Sequence, residues 1–482
     1  MSSSTGYSSE TMRWSRRLAW PVIAATALRL ALLAAALVRS GTGVIASGDT
    51  ASYLEPGRNL LLHGRFWTAG APEIDRTPGY PLFLAVASLP GSAFAALAQV
   101  ILSAFTVVLV WRLAHAVFGE ERIALAASWI FAFEPVSVVY SVRLLSETLF
   151  LALFLLSMER LAVFLRERSL RELAAAGIWL AAATYVRPVS YYLPMALAVG
   201  LIAVLARIPG LPPQRQRPIA GDPGMPPQRH RPVAGDPGMR WKAPAVLLLS
   251  VLPWLAAWQL RNWLETGFGG FSSVAIGNLY FYQAAEVTAR VEHRPFASVQ
   301  DDYGYAGVHA YIARHPEQAG WSQSQRLAFM EAAAGRVLRA HPGALLSVQL
   351  EGSAMVAFTP CAADLLKLLG AYPRDDEMPR RVVHEGVVQA AARLVQAHPW
   401  QAAAMAALEA MLLGLYFFAA RGALFGHARR DALWLLLGIS LYFIAVSGGA
   451  QAVGRYRLPV MPIVCIFAAA GLRSKAPQMP AW

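Results

Sequence analysis

The sequence predicts an all-α polytopic membrane protein: a bundle of about ten transmembrane helices, with interfacial helices in the first outer loop and a small helical cap on the outer face. Three observations predict it. Of 482 residues, 56% are hydrophobic and only 15% charged, where a soluble chain carries about 25% charged residues. Apolar runs of spanning length recur along the chain. The connections between those runs alternate between arginine-rich and arginine-poor, as the positive-inside rule requires.

The first run, Leu18 to Val38, follows Arg13, Arg16 and Arg17. Its length of about 20 residues fits a span, whereas a signal peptide has a shorter apolar core and a small-residue cleavage site. Arg29 interrupts the run and either faces other helices or snorkels to the interface. Further runs lie at roughly 92–113, 122–141, 144–165, 173–186, 189–206, 243–260, 400–420, 432–447 and 458–472. With the first arginines inside, alternation also places Arg112 to Arg122, Arg166 to Arg171, Arg207 to Lys242, Arg421 to Arg430, and Arg473 with Lys475 inside. Both termini are therefore expected to be cytoplasmic.

This topology divides the chain in three. Residues 1–260 form an N-terminal membrane module that contains the first outer loop, 39–91. Residues 261–399 form an outer-face helical segment, and 400–482 the C-terminal membrane helices. Within 261–399, Trp321 to Ala340 has helical periodicity, and the stretch around Asp301-Asp302-Tyr303 reads as polar and mobile. Proline after His315, His341 and His398 marks helix boundaries rather than metal ligands. Leu345 to Phe358 is short and carries Gln349, Glu351 and Ser353, so it reads as a surface helix rather than a crossing.

Between the sixth and seventh runs, residues 212–239 hold a tandem repeat. Pro212-Pro213-Gln214-Arg215-Gln216-Arg217-Pro218 recurs as Pro226-Pro227-Gln228-Arg229-His230-Arg231-Pro232. Two proline-rich copies make a linker, not a solenoid, which needs at least about three repeats. The net charge of +13 is explained by cytoplasmic loops, and no basic-aromatic face calls for a nucleic-acid partner. Cys361 and Cys465 form no disulfide framework, and no Cys/His cluster has zinc-ligand spacing.

The chemistry concentrates in the first outer loop. Ser52 to His63 sets Leu54, Leu60, Leu61 and Leu62 among polar residues and reads as an amphipathic interfacial helix entered through Gly48 and Asp49. Asp49 can cap that helix through its carboxylate. Alternatively, Arg76, set before the rigid Pro78-Gly79-Tyr80-Pro81 turn, pairs with it as a phosphate and hydroxyl site. Glu73 and Asp75 are alternates to Asp49, expected instead to pair with Arg76. Other outer-face groups stand at helix ends: Ser146-Glu147, Arg187-Pro188, Arg261-Asn262 and Arg455-Tyr456-Arg457. Singly these are capping or snorkelling residues. Together they run against the positive-inside bias, which points to a buried anion.

In that order the motifs resemble the GT-C superfamily of membrane glycosyltransferases, similar to protein O-mannosyltransferases and to the bacterial enzymes that add aminoarabinose to lipid A. The resemblance rests on Asp49 with Tyr53, Gly64, Arg76-Thr77-Pro78-Gly79-Tyr80-Pro81, Ser146-Glu147, Arg187-Pro188, Arg261-Asn262 with Gly277-Asn278-Leu279-Tyr280, and Arg455-Tyr456 with Pro459 and Pro462. It spans about 40–475. It implies a GT-C-like bundle in a bacterial cytoplasmic membrane, with the site facing outward. The donor would be a sugar on polyprenyl phosphate, transferred with inversion to a lipid, glycan or protein acceptor among the membrane lipids. Asp49 would be the base or acceptor-orienting group. Tyr53, Arg76, Tyr80, Glu147, Arg187, Arg261, Asn262, Asn278, Arg455, Tyr456 and Arg457 would bind substrate. A divalent ion, if present, would take Asp49 and Glu147. Two departures bear on sugar and acceptor: lipid A-modifying members have a Lys-Pro-Pro-like turn at 76–81, and Asp49 lacks the acidic neighbour of many eukaryotic mannosyltransferases. A transporter or flippase for lipid-linked or small anionic substrates is the competing class, but it predicts inverted repeats, which the sequence does not display.

Overall fold

A computed structural model describes residues 16–206, 238–305, 307–359, 361–372 and 387–473. Arg13, Lys475 and the repeat at 212–237 lie outside the described residues. Every apolar run becomes helical. In chain order the N-terminal module contains α1 (Ala19–Ser40), α2 (Thr50–His63), α3 (Gly79–Ala87), α4 (Ser92–Phe118), α5 (Glu121–Ala132), α6 (Pro135–Val142), α7 (Glu147–Glu167), α8 (Leu170–Val186), α9 (Leu193–Ala206) and α10 (Met239–Thr266). The C-terminal helices are Pro399–Phe425, Arg430–Ser447 and Met461–Arg473.

Among the described residues, seven helices are long and apolar enough to cross a membrane, or eight if α5 and α6 form one bent span. The difference from ten has local causes. The run at 122–141 breaks at Phe133-Glu134, because Pro135 cannot continue a helix. Glu134 caps the new segment by accepting from the amides of Val136 (3.0 Å) and Ser137 (2.6 Å), and the two helices meet at 54°. The runs at 173–186 and 458–472 become helices of 17 and 13 residues. At about 1.5 Å per residue, the last is shorter than a hydrocarbon layer, yet it sits in the protein core, with Met461 to Gly471 all buried.

Arg29 faces other helices and does not snorkel. It is fully buried and donates to Ser103 Oγ (2.7 Å), Ala132 O (2.9 Å) and Ser137 Oγ (3.0 Å). It thereby fastens α1 to α4 and to the break between α5 and α6. Elsewhere small residues set helix contact. A Cβ on Gly422 would lie 1.8 Å from Phe467 O, and one on Gly471 1.9 Å from Phe418 O. Only glycine lets Pro399–Phe425 and Met461–Arg473 approach so closely.

Within 39–91 the chain folds as α2, a two-strand hairpin of β1 (Trp67–Thr68) and β2 (Ala71–Pro72), and α3. Gly64 ends α2 in the left-handed conformation (φ 65°). Gly79 starts α3 against Tyr185 O, which a Cβ there would meet at 2.7 Å. The proline-rich turn is thus pressed onto the end of α8.

Residues from the segment 261–399 pack on this loop. Ile74 joins Tyr280, Ala284, Tyr311, Leu327, Met330 and Ala334 in one small core. The helix Gln323–Ala340 starts with a capping box formed by Ser322 and Gln325. Pro316, Pro342 and Pro399 each open a helical element, in agreement with the boundary reading of the His-Pro pairs. Asp301 and Asp302, in the stretch read as polar and mobile, are exposed and end the helix Phe296–Asp302. Leu345 to Phe358 lies within the helix Pro342–Phe358, and Gly352 touches Gly449 so closely that a Cβ would meet the Gly449 amide at 2.1 Å.

Candidate active site

Two backbone-level contacts bring the first loop to the start of α7. The amide of Leu144 donates to Ile45 O (2.8 Å), and Thr50 Oγ1 donates to Leu144 O (3.0 Å). The chain before α2 is therefore fastened to the turn between α6 and α7. Asp49 and Glu147 come to the same end of the bundle, together with the C-terminal end of α8 and the turn before Met461–Arg473.

Asp49 stands at the N-cap position of α2, but its side chain makes no capping hydrogen bond. Its carboxylate instead accepts from Arg76 Nη2 (2.9 Å) and Arg455 Nη2 (3.4 Å). Each guanidinium brings a full positive charge to the carboxylate, which a backbone amide does not. Arg76 also donates to Ser52 Oγ (3.1 Å) and Tyr53 OH (3.2 Å), and lies 4.5 Å over the Tyr53 ring. Tyr53 meets Tyr80 edge-on at 4.9 Å. The Tyr80 hydroxyl donates to Gln99 Oε1 (2.8 Å), so Tyr80 supports the site from within the core.

Glu147 opens α7 with its side chain 5% exposed, against 37% for Asp49. It pairs with Arg187 Nη1 at 2.5 Å and lies 3.7 Å from Arg455 Nε. The guanidiniums of Arg187 and Arg455 stand 5.7 and 5.2 Å from the Tyr456 ring centroid. Glu147, Arg187, Arg455 and Tyr456 line a cleft whose apolar wall includes Phe150 and Phe443. Burial alone would raise the Asp49 carboxyl. The charges of Arg76 and Arg455 outweigh it and hold the group below its ordinary value. Burial likewise opposes the charge on Arg76, but Tyr53 and Asp49 overcome it and raise that group.

The remaining sequence candidates do not join these charges. Glu73 and Asp75 do not pair with the Arg76 side chain. Glu73 accepts from the amides of Asp75 (2.6 Å) and Arg76 (3.0 Å) and from Thr68 Oγ1 (2.7 Å), which sets the turn that aims Arg76. Asp75 accepts from Ser273 Oγ. Arg261 donates to Glu73 O and Phe66 O, both at 2.7 Å, pairs with Glu265 at 3.0 Å and covers Trp258 at 4.9 Å. It ties the first loop to α10. Asn262 is fully buried and donates to Gly270 O at 2.9 Å. Asn278 ends the helix Val274–Asn278 and makes no side-chain hydrogen bond among the described residues. Arg457 is buried and donates to Val356 O (3.4 Å) and Thr359 O, beside Glu134 and Cys361. These partners hold Arg261, Asn262 and Arg457 to backbone oxygens rather than to the Asp49–Arg455 cluster.

Sequence reasoning missed Tyr140, Arg143 and Asp364. Asp364 accepts from Arg143 Nη1 (3.1 Å) and from the Tyr140 hydroxyl. Thr148 Oγ1 in turn donates to Tyr140 O (2.9 Å), one residue after Glu147. The available signal was a lone acid in the apolar stretch Cys361 to Leu369. Among the described residues, no three His, Cys, Asp or Glu side chains converge as a metal site. Asp49 directs both carboxylate oxygens at guanidinium groups and Glu147 directs Oε1 at Arg187 and Arg455, while Glu147 Oε2 has no partner among the described residues.

Residues 76–209 match the family model described as dolichyl-phosphate-mannose-protein mannosyltransferase. That segment contains Arg76, Tyr80, Glu147 and Arg187, and over it the resemblance to GT-C membrane glycosyltransferases is borne out. Among solved structures, the apo oligosaccharyltransferase of Archaeoglobus fulgidus is similar at 11% identity and a TM-score of 0.48, covering 96% of this chain and 51% of that one. The oligosaccharyltransferase AglB of the same organism, in complex with an inhibitory peptide and a dolichol-phosphate, is similar at 14% identity and a TM-score of 0.45, covering 94% and 50%. Apo ArnT from Cupriavidus metallidurans is similar at 12% identity and a TM-score of 0.36, covering 94% and 77%. The chain spans about half the length of the oligosaccharyltransferases it matches. No curated protein matches it.

Proposed function

We propose that this chain is an inverting glycosyltransferase. It moves a sugar from a polyprenyl-phosphate-linked donor to a lipid, glycan or protein acceptor at the outer face of a bacterial cytoplasmic membrane. The observation that carries the reading is the junction of Asp49 and Glu147 through Arg455, with Arg76 and Arg187 on its two flanks. Support comes from the family match over residues 76–209, whose description names a lipid-phosphate sugar.

Each group has a role in such a transfer. The acceptor oxygen forms a bond to the anomeric carbon while the bond from that carbon to the phosphate oxygen breaks. The phosphate leaves with the bonding electrons. Arg76 and Arg455 each present a planar fork of N–H donors to phosphate oxygens, stabilising charge that grows in the transition state. Asp49, half-exposed, accepts the acceptor hydroxyl and takes its proton. A carboxyl held low in pKa is a weak base, so the larger part of its role is to aim the hydroxyl. Glu147 keeps Arg187 and Arg455 in place and touches no reacting atom.

The test compares envelope glycans and lipid-linked sugars in cells carrying the wild type or Asp49→Asn at equal membrane abundance. The variant is expected to accumulate donor and lose product. Identical profiles would end the transfer reading.

A further inference from the structure

The peptide unit between Arg143 and Leu144 is held from both sides. Its N–H donates to Ile45 O at 2.8 Å, on the chain that leads into Asp49. Its carbonyl, Arg143 O, accepts from Gln99 Nε2 at 2.6 Å. Leu144 O accepts from Thr50 Oγ1, so the contacts to Leu144 bracket Asp49. Glu147 follows three residues later. A single side chain therefore fixes the turn on which both carboxylates depend.

That side chain lies in α4, a helix long and apolar enough to cross a membrane. Gln99 is fully buried there, and a buried amide is costly unless its polar ends are bonded. Both ends are. Nε2 serves Arg143 O and, at 3.5 Å, Ser141 O. Backbone carbonyls only accept, which sets the NH2 end toward them and leaves Oε1 for the Tyr80 hydroxyl, which donates to it at 2.8 Å.

Tyr80 carries the link to the other flank. It is fully buried in α3, four residues after Arg76 across the Pro78-Gly79 turn. Its ring meets Tyr53 edge-on, and Tyr53 accepts from Arg76 and lies under its guanidinium. One amide thus touches both structures that hold the charges: α3 with Arg76, and the turn between α6 and α7 with Glu147. Arg455 also joins the two carboxylates. In the proposed transfer, however, Arg76 and Arg455 turn N–H donors to an incoming phosphate, and their bonds to Asp49 give way. The bonds of Gln99 are buried and neutral and take no part in that exchange.

We infer that Gln99 is a positioning residue. It fixes the spacing between the Asp49–Arg76 pair and the Glu147–Arg187 pair while the arginines change partners. The inference rests on the transfer reading above and adds to it a residue that touches no substrate.

The test uses the full chain in nanodiscs, with polyprenyl-phosphate mannose as donor and a bacterial envelope extract as acceptor. Gln99→Met keeps the length of the side chain and removes both polar ends. Its turnover per folded molecule is expected to fall about 10- to 100-fold, the scale of a misplacement on the order of 1 Å, with the donor KM within about threefold of the wild type. Tyr80→Phe keeps the ring against Tyr53 and removes one bond, so it should lose turnover by a smaller factor. The double variant should fall no further than Gln99→Met, because the Tyr80 hydroxyl then has no amide to hold. A glutamine that only stabilised the fold would lower the unfolding temperature and leave turnover per folded molecule unchanged. That result would overturn the inference, and so would fully additive losses.

Hydrogen exchange reads the same spacing without any reaction. The Leu144 amide should exchange at least about tenfold faster in Gln99→Met, with the amides of Gln323–Ala340 unchanged. Equal exchange at Leu144 in variant and wild type would overturn the clamp whether or not sugar is transferred. A wild type that transfers nothing, with faster Leu144 exchange in the variant, would end the transfer reading and keep the clamp.

Discussion

Asp49 and Glu147, from different parts of the chain, share one guanidinium: Arg455 places Nη2 3.4 Å from Asp49 and Nε 3.7 Å from Glu147. The two carboxylates nevertheless have different surroundings. Glu147 is nearly fully buried and Asp49 is half-exposed. In the proposed transfer, that contrast separates a group that reacts from a group that holds.

Asp49→Asn keeps the shape of the side chain and removes its charge. Transfer is expected to fall at least a hundredfold, the lower range for a positioned acid–base group. Thermal unfolding in detergent checks that the loss is not one of folding.

The pH dependence of Asp49 follows from its arginines. Its folded value lies below the ordinary 3.8, so pairing stabilises the fold fully above that ordinary value and is lost as pH falls through the lowered one. The carboxylate stays ionised at all higher pH. An acid limb from Asp49 in the rate profile is therefore expected below pH 3.8. Arg76→Gln should move it upward. A wild-type limb near neutrality that disappears in Asp49→Asn would contradict this.

Glu147→Gln leaves Arg187 and Arg455 without their buried countercharge. Removal of one partner from a buried pair costs about 3–5 kcal/mol. Both unfolding temperature and transfer should fall. Glu147→Leu combined with Arg187→Met should recover stability without recovering transfer, because Arg455 would still lack its second carboxylate.

Asn262→Ala tests whether Asn262 serves the substrate, as the sequence suggested, or the fold. Its amide bonds the turn at Gly270 and touches no charge of the site. Stability should fall by about 1–3 kcal/mol, while the turnover of the folded fraction stays unchanged. A selective loss of turnover at unchanged stability would return Asn262 to the substrate.

Gly79→Ala should displace α3 from α8, since the new methyl would sit 2.7 Å from Tyr185 O. Overpacking of this kind costs about 1–3 kcal/mol. Because Arg76 precedes the same turn, donor affinity should weaken as well, measured as a rise in KM for the lipid-linked sugar.

Helices, and the residues at their ends, were legible in the sequence because the bilayer imposes a local rule. Backbone polar groups must be satisfied within each segment, so apolar length alone reports a helix. Asp49, Arg76, Glu147, Arg187 and Arg455 were legible for a related reason: a charge beside apolar runs is costly, and each stood out within a few residues of its own neighbours.

Pairing was not legible. Arg261 and Asn262 looked like Arg187 and Pro188, a charged group at a helix end, yet Arg261 binds Glu265 and a backbone oxygen at Glu73, and Asn262 binds the turn at 270. Arg457 lies two residues from Arg455, and the 3₁₀ turn at Gly454–Arg457 points one toward Asp49 and the other toward Thr359. Asp364 met Arg143 only after the chain had folded. The sequence by itself determined which segments form apolar helices and which charges stand at their ends, since hydropathy is a property of each segment alone. Only the tertiary structure decided which of those charges meet, because a salt bridge is formed over a few ångströms between residues that the chain may hold hundreds of positions apart.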